Sequence, residues 1–208
     1  GRAEAPLARS EAAWRAARWR FLHAVAARHR APVATAHTRD DQAETVLLRL
    51  LRHAGARGLA GLAAPGPVRR PFLALARAPI NAFASAAGLP VVHDPANDDP
   101  APALERAEPG FRDWLVALGD RAAAWRADLA AWCDSRSVIV DTPAGRRVPA
   151  AWFDGVPPAA AAHVWAEALA RCGVTLDRRG TDRLVPFTTD GRLGGVVPLS
   201  AGVRVRRE

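Results

Sequence analysis

The chain has 208 residues, with 29 basic against 21 acidic side chains for a net charge of +8, and half of it is hydrophobic; a sizeable core is expected and disorder is not. No apolar run approaches the roughly 18 residues of a membrane span, and the opening GRAEAPLARSEAAWR has no apolar signal region, so the chain reads as soluble, cytoplasmic and without a membrane partner. Cys133 and Cys172 form neither a CxxC pair nor a disulfide framework. The cations apart from His are all Arg in an Ala-rich chain, so base composition and nucleic-acid binding account for the charge equally well.

Residues 10 to 29 read as a helix capped by Ser10, with Trp14, Ala17, Phe21 and Val25 recurring on one face that is expected to pack in the core. Val33 to Ala36, after Pro32, suits a short buried strand. The polar run from His37 to Asp41 follows, then a helix from about Gln42 to His53 with Val46, Leu47, Leu50 and Leu51 as its stripe and Gly55 as terminator. Residues 54 to 68 read as an ordered loop anchored by the apolar part of Gly58-Leu59-Ala60-Gly61-Leu62. Another helix carries Pro79 in its first turn and stops at Gly88, and Leu89 to Val92 reads as a second strand.

This helix, strand, helix, strand order predicts an α/β layer with parallel pairing, part of a doubly wound parallel sheet. Beyond about residue 101 the pattern changes. A long helix is expected over 111 to 134, a hairpin from Ser137–Val140 to Arg147-Val148 across Thr142-Pro143-Ala144-Gly145, an Ala-rich helix over 157 to 172, and a terminal strand pair from Val196 to Val205. The expected division is a sheet-forming region over 1–105, then a helical linker and small α+β region over 106–208.

The strongest chemical signal is His37-Thr38-Arg39-Asp40-Asp41-Gln42-Ala43-Glu44-Thr45, because it joins a strand to a helix. In open α/β sheets that crest is where ligands bind. Two readings compete. Asp41 could be a helix N-cap with Glu44 as its capping-box partner, which leaves His37 and the second carboxylate without a role. Alternatively, Asp40 and Asp41 could seat Mg²⁺, which takes one or two carboxylates together with substrate phosphates.

From Ala34 to Leu62 the sequence ATAHTRDDQAETVLLRLLRHAGARGLAGL closely resembles the tRNA(Ile)-lysidine synthase family, whose pattern is TAHHxDDQAET followed by a helix and a GLxGL-like loop. Arg70-Pro71-Phe72-Leu73 with Arg77 and Ile80 is similar to that family's RPLLxxxRxxI, and Asp94 to Asp99 to its DxSNxD. Glu11 with Arg18-Trp19 resembles its E-x(6)-R-Y helix, and Gly195 to Arg204 its C-terminal LPGG hairpin. The sequence departs at Thr38, at Ala96, at Leu199 to Gly202, and over 101–112, where RNxIR is replaced by APALERAEPGFR with Arg106 and Arg112 as imperfect substitutes. The SGGxDS phosphate loop does not occur in the chain. With no Met at residue 1, that loop is expected upstream, so the Rossmann-like fold would here lack its first βα unit and the chain alone would turn over little ATP.

The resemblance implies a ligase that adenylates the C2 oxygen of the wobble cytidine of a tRNA, here tRNA(Ile) with a CAU anticodon, and then joins free L-lysine at that carbon. By resemblance, His37, Arg39, Asp40 and Asp41 line the ATP and Mg²⁺ side, while Arg77, Asp94 and Asn97 border the base or the lysine; Asp40 and Asp41 are counted with the catalytic group. Arg146, Arg147, Arg178, Arg179, Arg204 and Arg206 are candidate contacts to tRNA phosphates. Two alternatives stay open: a non-catalytic tRNA-binding remnant, and a tRNA thiolase of the same PP-loop superfamily.

Overall fold

The computed structural model describes residues 10–91, 106 and 108–208. It divides into two compact units, Gly1–Ala123 and Ala124–Glu208.

In the first unit, helix α1 spans Glu11–His29; the Ser10 hydroxyl accepts the Ala13 N–H at 3.2 Å, and Arg30 closes the helix in the left-handed region at φ 50°. The cap is the expected one, but the stripe is not core: Trp14, Phe21 and Val25 are 57, 48 and 39% exposed. Helical periodicity specifies which side is apolar, not whether another element covers it. Helix α2 runs Arg39–Leu51, three residues earlier than Gln42, because Thr38 and not Asp41 is the N-cap. It also stops sooner than expected. The chain turns at His53 with φ 54°, and Gly55 instead caps the short helix α3, Ala56–Leu59.

The expected strand is reduced to one parallel bridge, Ala34 with Arg69, bonded Thr35 N–H to Arg69 C=O at 2.9 Å and Arg69 N–H to Val33 C=O at 2.8 Å. Parallel pairing is present, but its partner is Arg69 and not the 89–92 run. Leu89 to Val91 carry no strand, and Val92 lies outside the described residues. Helix α4 spans Arg77–Ala86, and Gly88 follows it at φ +64°, a conformation in which glycine carries no Cβ penalty.

The long helix α5, Phe111–Arg136, runs through the boundary between the units. Its Leu115 packs with Ala43 and Val46 of α2 in the core of the first unit. Close approach depends on Gly119: a Cβ there would overlap the Gln42 amide and stand 2.9 Å from Val46 Cγ2.

In the second unit, β1 (Val140–Thr142) and β2 (Gly145–Arg147) pair antiparallel across Pro143-Ala144. Helix α6 is Pro158–Arg171, with Pro at its first position, where the missing N–H has no intrahelical partner to lose. Helix α7, Arg178–Asp190, was not expected: it contains Pro186, and its buried apolar side chain is Leu184. Strands β3 (Val196–Pro198) and β4 (Arg204–Arg206) form the expected terminal pair. The core gathers Cys133, Trp152, Val164, Trp165, Ala168, Leu169, Leu184 and Val197. Both buried indoles are satisfied, Trp152 Nε1 donating to Ser137 C=O at 2.9 Å and Trp165 Nε1 to Thr188 Oγ1 at 2.7 Å. Among the described residues no helix is long and apolar enough to cross a membrane.

The substitution Gly119→Ala forces a methyl against Gln42 and Val46 and is expected to cost about 1–3 kcal/mol. Urea unfolding should show the midpoint fall, whereas Gly66→Ala, whose Cβ would meet nothing nearer than 4.0 Å and whose φ is not positive, should leave it nearly unchanged.

Candidate functional site

The site is built at the start of α2. Thr38 sits in extended backbone, and its N–H and hydroxyl both donate to Asp41 Oδ2, at 2.6 and 2.7 Å. The Asp41 N–H returns a bond to Thr38 Oγ1 at 3.4 Å, which completes a capping box in which Asp41 is the third helical residue. The helical explanation of one carboxylate therefore holds, shifted three residues toward the N-terminus, and Glu44 is not part of it. The exchange of His for Thr at position 38, a departure from the family pattern, supplies a good N-cap side chain.

Asp40, the second helical residue, points to α4 and α5. Its Oδ2 accepts the Arg77 backbone N–H at 2.7 Å, and its Oδ1 accepts from Arg112. Arg77 Nη2 in turn donates to Asp41 Oδ1 at 3.0 Å and to Glu44 Oε1 at 3.3 Å. Arg39 pairs with Asp113 at 2.8 Å. The acidic side of the site is thus Asp40, Asp41 and Glu44, bridged by Arg77 and Arg112. The Asp40 side chain is only 13% exposed. It is held by one guanidinium, that of Arg112, and one backbone N–H, at the positive end of the helix.

His37 lies on the other side of Thr38. Its Nδ1 is 2.8 Å from Thr35 Oγ1. Burial holds its pKa below the ordinary value, as do the charges of Arg70, Arg15 and Arg18, while Asp41 opposes them. Burial pushes Asp41 up, but the Thr38 N–H and hydroxyl, with Arg77 and His37, outweigh it and hold the carboxyl below its usual range.

Gln42 fixes what stands behind the site. It is 1% exposed; its Nε2 donates to Ala60 C=O at 3.1 Å and its Oε1 accepts the Leu62 N–H at 2.7 Å. The GLAGL loop is thereby tied to the helix carrying the carboxylates. Gly61, at φ +60°, permits the contact, since a Cβ there would meet Oε1 at 2.5 Å.

Of the sequence-predicted residues, the structure brings together His37, Arg39, Asp40, Asp41 and Arg77, and adds Glu44 and Arg112. Arg112 stands where the RNxIR segment is expected, and that position was its signal. Asp94 and Asn97 lie outside the described residues. The two Asp residues are chemically suited to Mg²⁺, but all four of their oxygens accept from Thr38, Arg77 or Arg112, so a cation would have to share them. Among the described residues no group of three or more His, Cys, Asp or Glu side chains is placed to hold a metal.

In the second unit, Arg146 pairs with Asp141 at 2.8 Å and Arg147 with Glu208 at 2.6 Å. Arg178 and Arg179 are exposed at the start of α7, and Arg204 and Arg206 are exposed on β4. Ser200 donates to Asp177 Oδ2 at 2.6 Å, which ties the α7 start to the turn between β3 and β4.

A family model described as a PP-loop domain matches residues 3–107. The tRNA(Ile)-lysidine synthase of Salinispora arenicola is 38% identical over 227 residues, 95% of this chain and 65% of the relative. The synthase of Streptomyces coelicolor is 48% identical over 51% of the chain and 34% of the relative, and that of a Methylobacterium species is 35% identical over 99 and 64%. The matches thus cover less than two thirds of the length of each of these relatives.

Acid titration tests the capping geometry. Because the folded Asp41 pKa lies below the unfolded value of about 3.9, its contribution is complete above that value and is lost as pH falls through the folded pKa. Asp41→Asn is expected to lose about 1 kcal/mol at neutral pH, with a shallower acid limb below pH 4 in denaturant unfolding. An acid limb identical to that of the native chain would refute the assignment.

Proposed function

Because the chain belongs to the PP-loop family, on the side of it that carries the tRNA(Ile)-lysidine synthases, we propose that it serves an ATP-dependent ligase that joins the amine of free L-lysine to C2 of the wobble cytidine of tRNA(Ile) through an adenylated base. A PP-loop domain implies an α/β, Rossmann-like architecture for the N-terminal part; the doubly wound sheet, the boundary near residue 105 and the cytoplasmic location belong to the proposal.

The supporting observation is the cluster of Asp40, Asp41, Glu44, Arg77 and Arg112 at the start of α2, where the segment paired to Arg69 ends. Attack by an amine on an activated ring carbon needs a carboxylate to orient the ammonium and take its proton, and cationic groups beside the developing charge. Asp41 and Glu44 both accept from one nitrogen, Arg77 Nη2, so an incoming ammonium could exchange with that group without leaving either acid uncompensated. Asp40, held by Arg112 and the Arg77 N–H, keeps the helix start in place. In the proposal Mg²⁺ neutralises phosphate charge beside Asp40 and Asp41, His37 and Arg39 border ATP, and Asp94 and Asn97 border the base or the lysine.

One observation favours the non-catalytic remnant: all four oxygens of the acidic pair already have protein donors. The thiolase reading has less support. Cys133 is fully buried, and burial pushes its thiol up to about 11, so little thiolate forms near neutral pH.

The deciding measurement is tRNA(Ile)-dependent ATP–pyrophosphate exchange and labelled-lysine transfer by the complete encoded polypeptide. Transfer is expected, and Glu44→Gln should lower it at least 100-fold while leaving the melting temperature within a few degrees. No transfer by a folded, tRNA-binding protein would establish the remnant reading.

The candidate tRNA surface gives a second expectation. Arg178 and Arg179 sit at the positive end of α7, where cations are unfavourable, so helix stability does not explain them. Arg178→Ala with Arg179→Ala should weaken tRNA binding and reduce the slope of log K against log salt by about 1.5. An unchanged slope would remove these residues from the interface.

A further inference from the structure

One face of α7 opens on a groove in the second unit. Arg183, Pro186, Phe187 and Asp190 recur on that face at three- and four-residue steps, and with Val196 and Pro198 of β3 they line a space of about 370 Å³. Phe187 is half-buried, and bare backbone closes on its ring: a Cβ at Gly191 would stand 2.7 Å from Phe187 Cδ2, and one at Gly195 would stand 3.2 Å from Cε2. Arg183 shuts one end of the groove, its Nη1 donating to Pro198 C=O at 2.8 Å and its Nε to Arg179 C=O at 3.1 Å. Asp190 stands at the other end, about two helical turns away. Among the described residues it has no hydrogen-bond or ion-pair partner, and as the last residue of α7 it is a negative charge where the helix disfavours one.

The register between β3 and β4 sets what borders the groove. Val196 lies opposite Arg206 and Pro198 opposite Arg204, while Val197 lies opposite Val205. Directly opposed residues share a face of the sheet, so Val197 and Val205 turn to the core and the two exposed arginines stand beside the groove-lining Val196 and Pro198. An aromatic ring between apolar walls, with guanidinium groups beside it and a free carboxylate at one end, complements single-stranded RNA: a base offers a π-face, its phosphates offer negative charge, and its edge offers N–H donors. Guanine presents two adjacent donors, N1–H and N2–H, which match both oxygens of one carboxylate, whereas adenine, cytosine and uracil set a single donor group beside an acceptor. An acidic peptide would satisfy the arginines but would be repelled by Asp190.

We propose that the groove between α7 and β3 is a pocket for an unpaired guanine of single-stranded RNA, with the base against Phe187, its N1–H and N2–H edge on Asp190, and its flanking phosphates on Arg204 and Arg206. The pocket reads one base, whereas Arg178 and Arg179 would act on the backbone without regard to sequence. The inference rests on the proposed function only for tRNA as the source of that guanine.

The test uses the full chain and the fluorescein-labelled RNA oligonucleotides UUGUU, UUAUU and UUCUU, with binding followed by fluorescence anisotropy. Asp190, Arg204 and Arg206 are exposed, so Asp190→Asn and the double variant Arg204→Gln with Arg206→Gln are expected to fold, which circular dichroism checks. The native chain should bind UUGUU about fivefold or more tightly than the other two, the low end of what one bidentate base contact gives. Asp190→Asn should remove that preference. The double variant should weaken all three RNAs alike and reduce the slope of log K against log salt by about 1.4. Equal affinity of the native chain for the three RNAs, or a preference that survives Asp190→Asn, overturns the pocket, as does a hexaglutamate peptide that binds as tightly as UUGUU. Guanine-selective binding by a polypeptide that transfers no lysine would sink the ligase proposal and leave the pocket standing, and lysine transfer without selective binding would do the reverse.

Discussion

The amide of Gln42 is the contact on which the first unit turns. It is buried, it sits one residue beyond the acidic pair, and it saturates two backbone groups of the GLAGL loop. Two glycines make room for it: Gly61 on the loop side and Gly119 on the long helix. A buried amide without partners costs far more than a satisfied one gains, so loop, helix and amide form together or not at all. The apolar core of this unit is small, being Ala43, Val46 and Leu115 with half-buried neighbours. A polar clamp matters more in such a setting than in the second unit, whose core holds two buried tryptophans.

This clamp gives the acidic cluster its geometry. Asp40 and Asp41 are consecutive, and on a helix consecutive side chains diverge by about 100°. Asp41 therefore turns back to Thr38 while Asp40 reaches α4 and α5. Capping and chemistry draw on the same residue: one Asp41 oxygen holds the helix start and the other meets Arg77. One helix start can serve both purposes because a carboxylate has two oxygens aimed in different directions.

The sequence made legible what local rules determine. The Ser10 cap, the limits of α5, the Pro158 start and the terminal hairpin follow from capping, periodicity and turn chemistry close in sequence. What it hid depends on distant partners. The bridge at Ala34 pairs with Arg69 across two intervening helices, α2 and α3, and no pattern in residues 68–70 marks them as strand. Helix α7 was obscured by Pro186 and Gly180 and is held by Leu184, Phe187 and its Asp177 cap. The exposed face of α1 shows the same limit, since periodicity cannot supply a neighbour. At the site, motif spacing identified the carboxylates and Arg77. The pairing of Arg112 with Asp40 spans 72 residues and only three-dimensional structure brings it together.

The all-arginine composition left charge uninformative in the sequence, and the structure separates the arginines by what they touch. Arg171 is structural: it bonds Glu167, Asp134 and the Ala130 carbonyl and lies over the Trp152 ring. Arg146 and Arg147, expected at a nucleic-acid surface, are paired with Asp141 and Glu208, so any phosphate would compete with an existing acid. Arg178 and Arg179 sit against the helix dipole, and Arg204 and Arg206, two residues apart on one strand, point to one side. Guanidinium groups in these last positions do little for the fold. Base composition can explain why they are arginine and not lysine, but it does not explain why cations stand where the helix disfavours them, and that placement supports a role in binding an anionic partner.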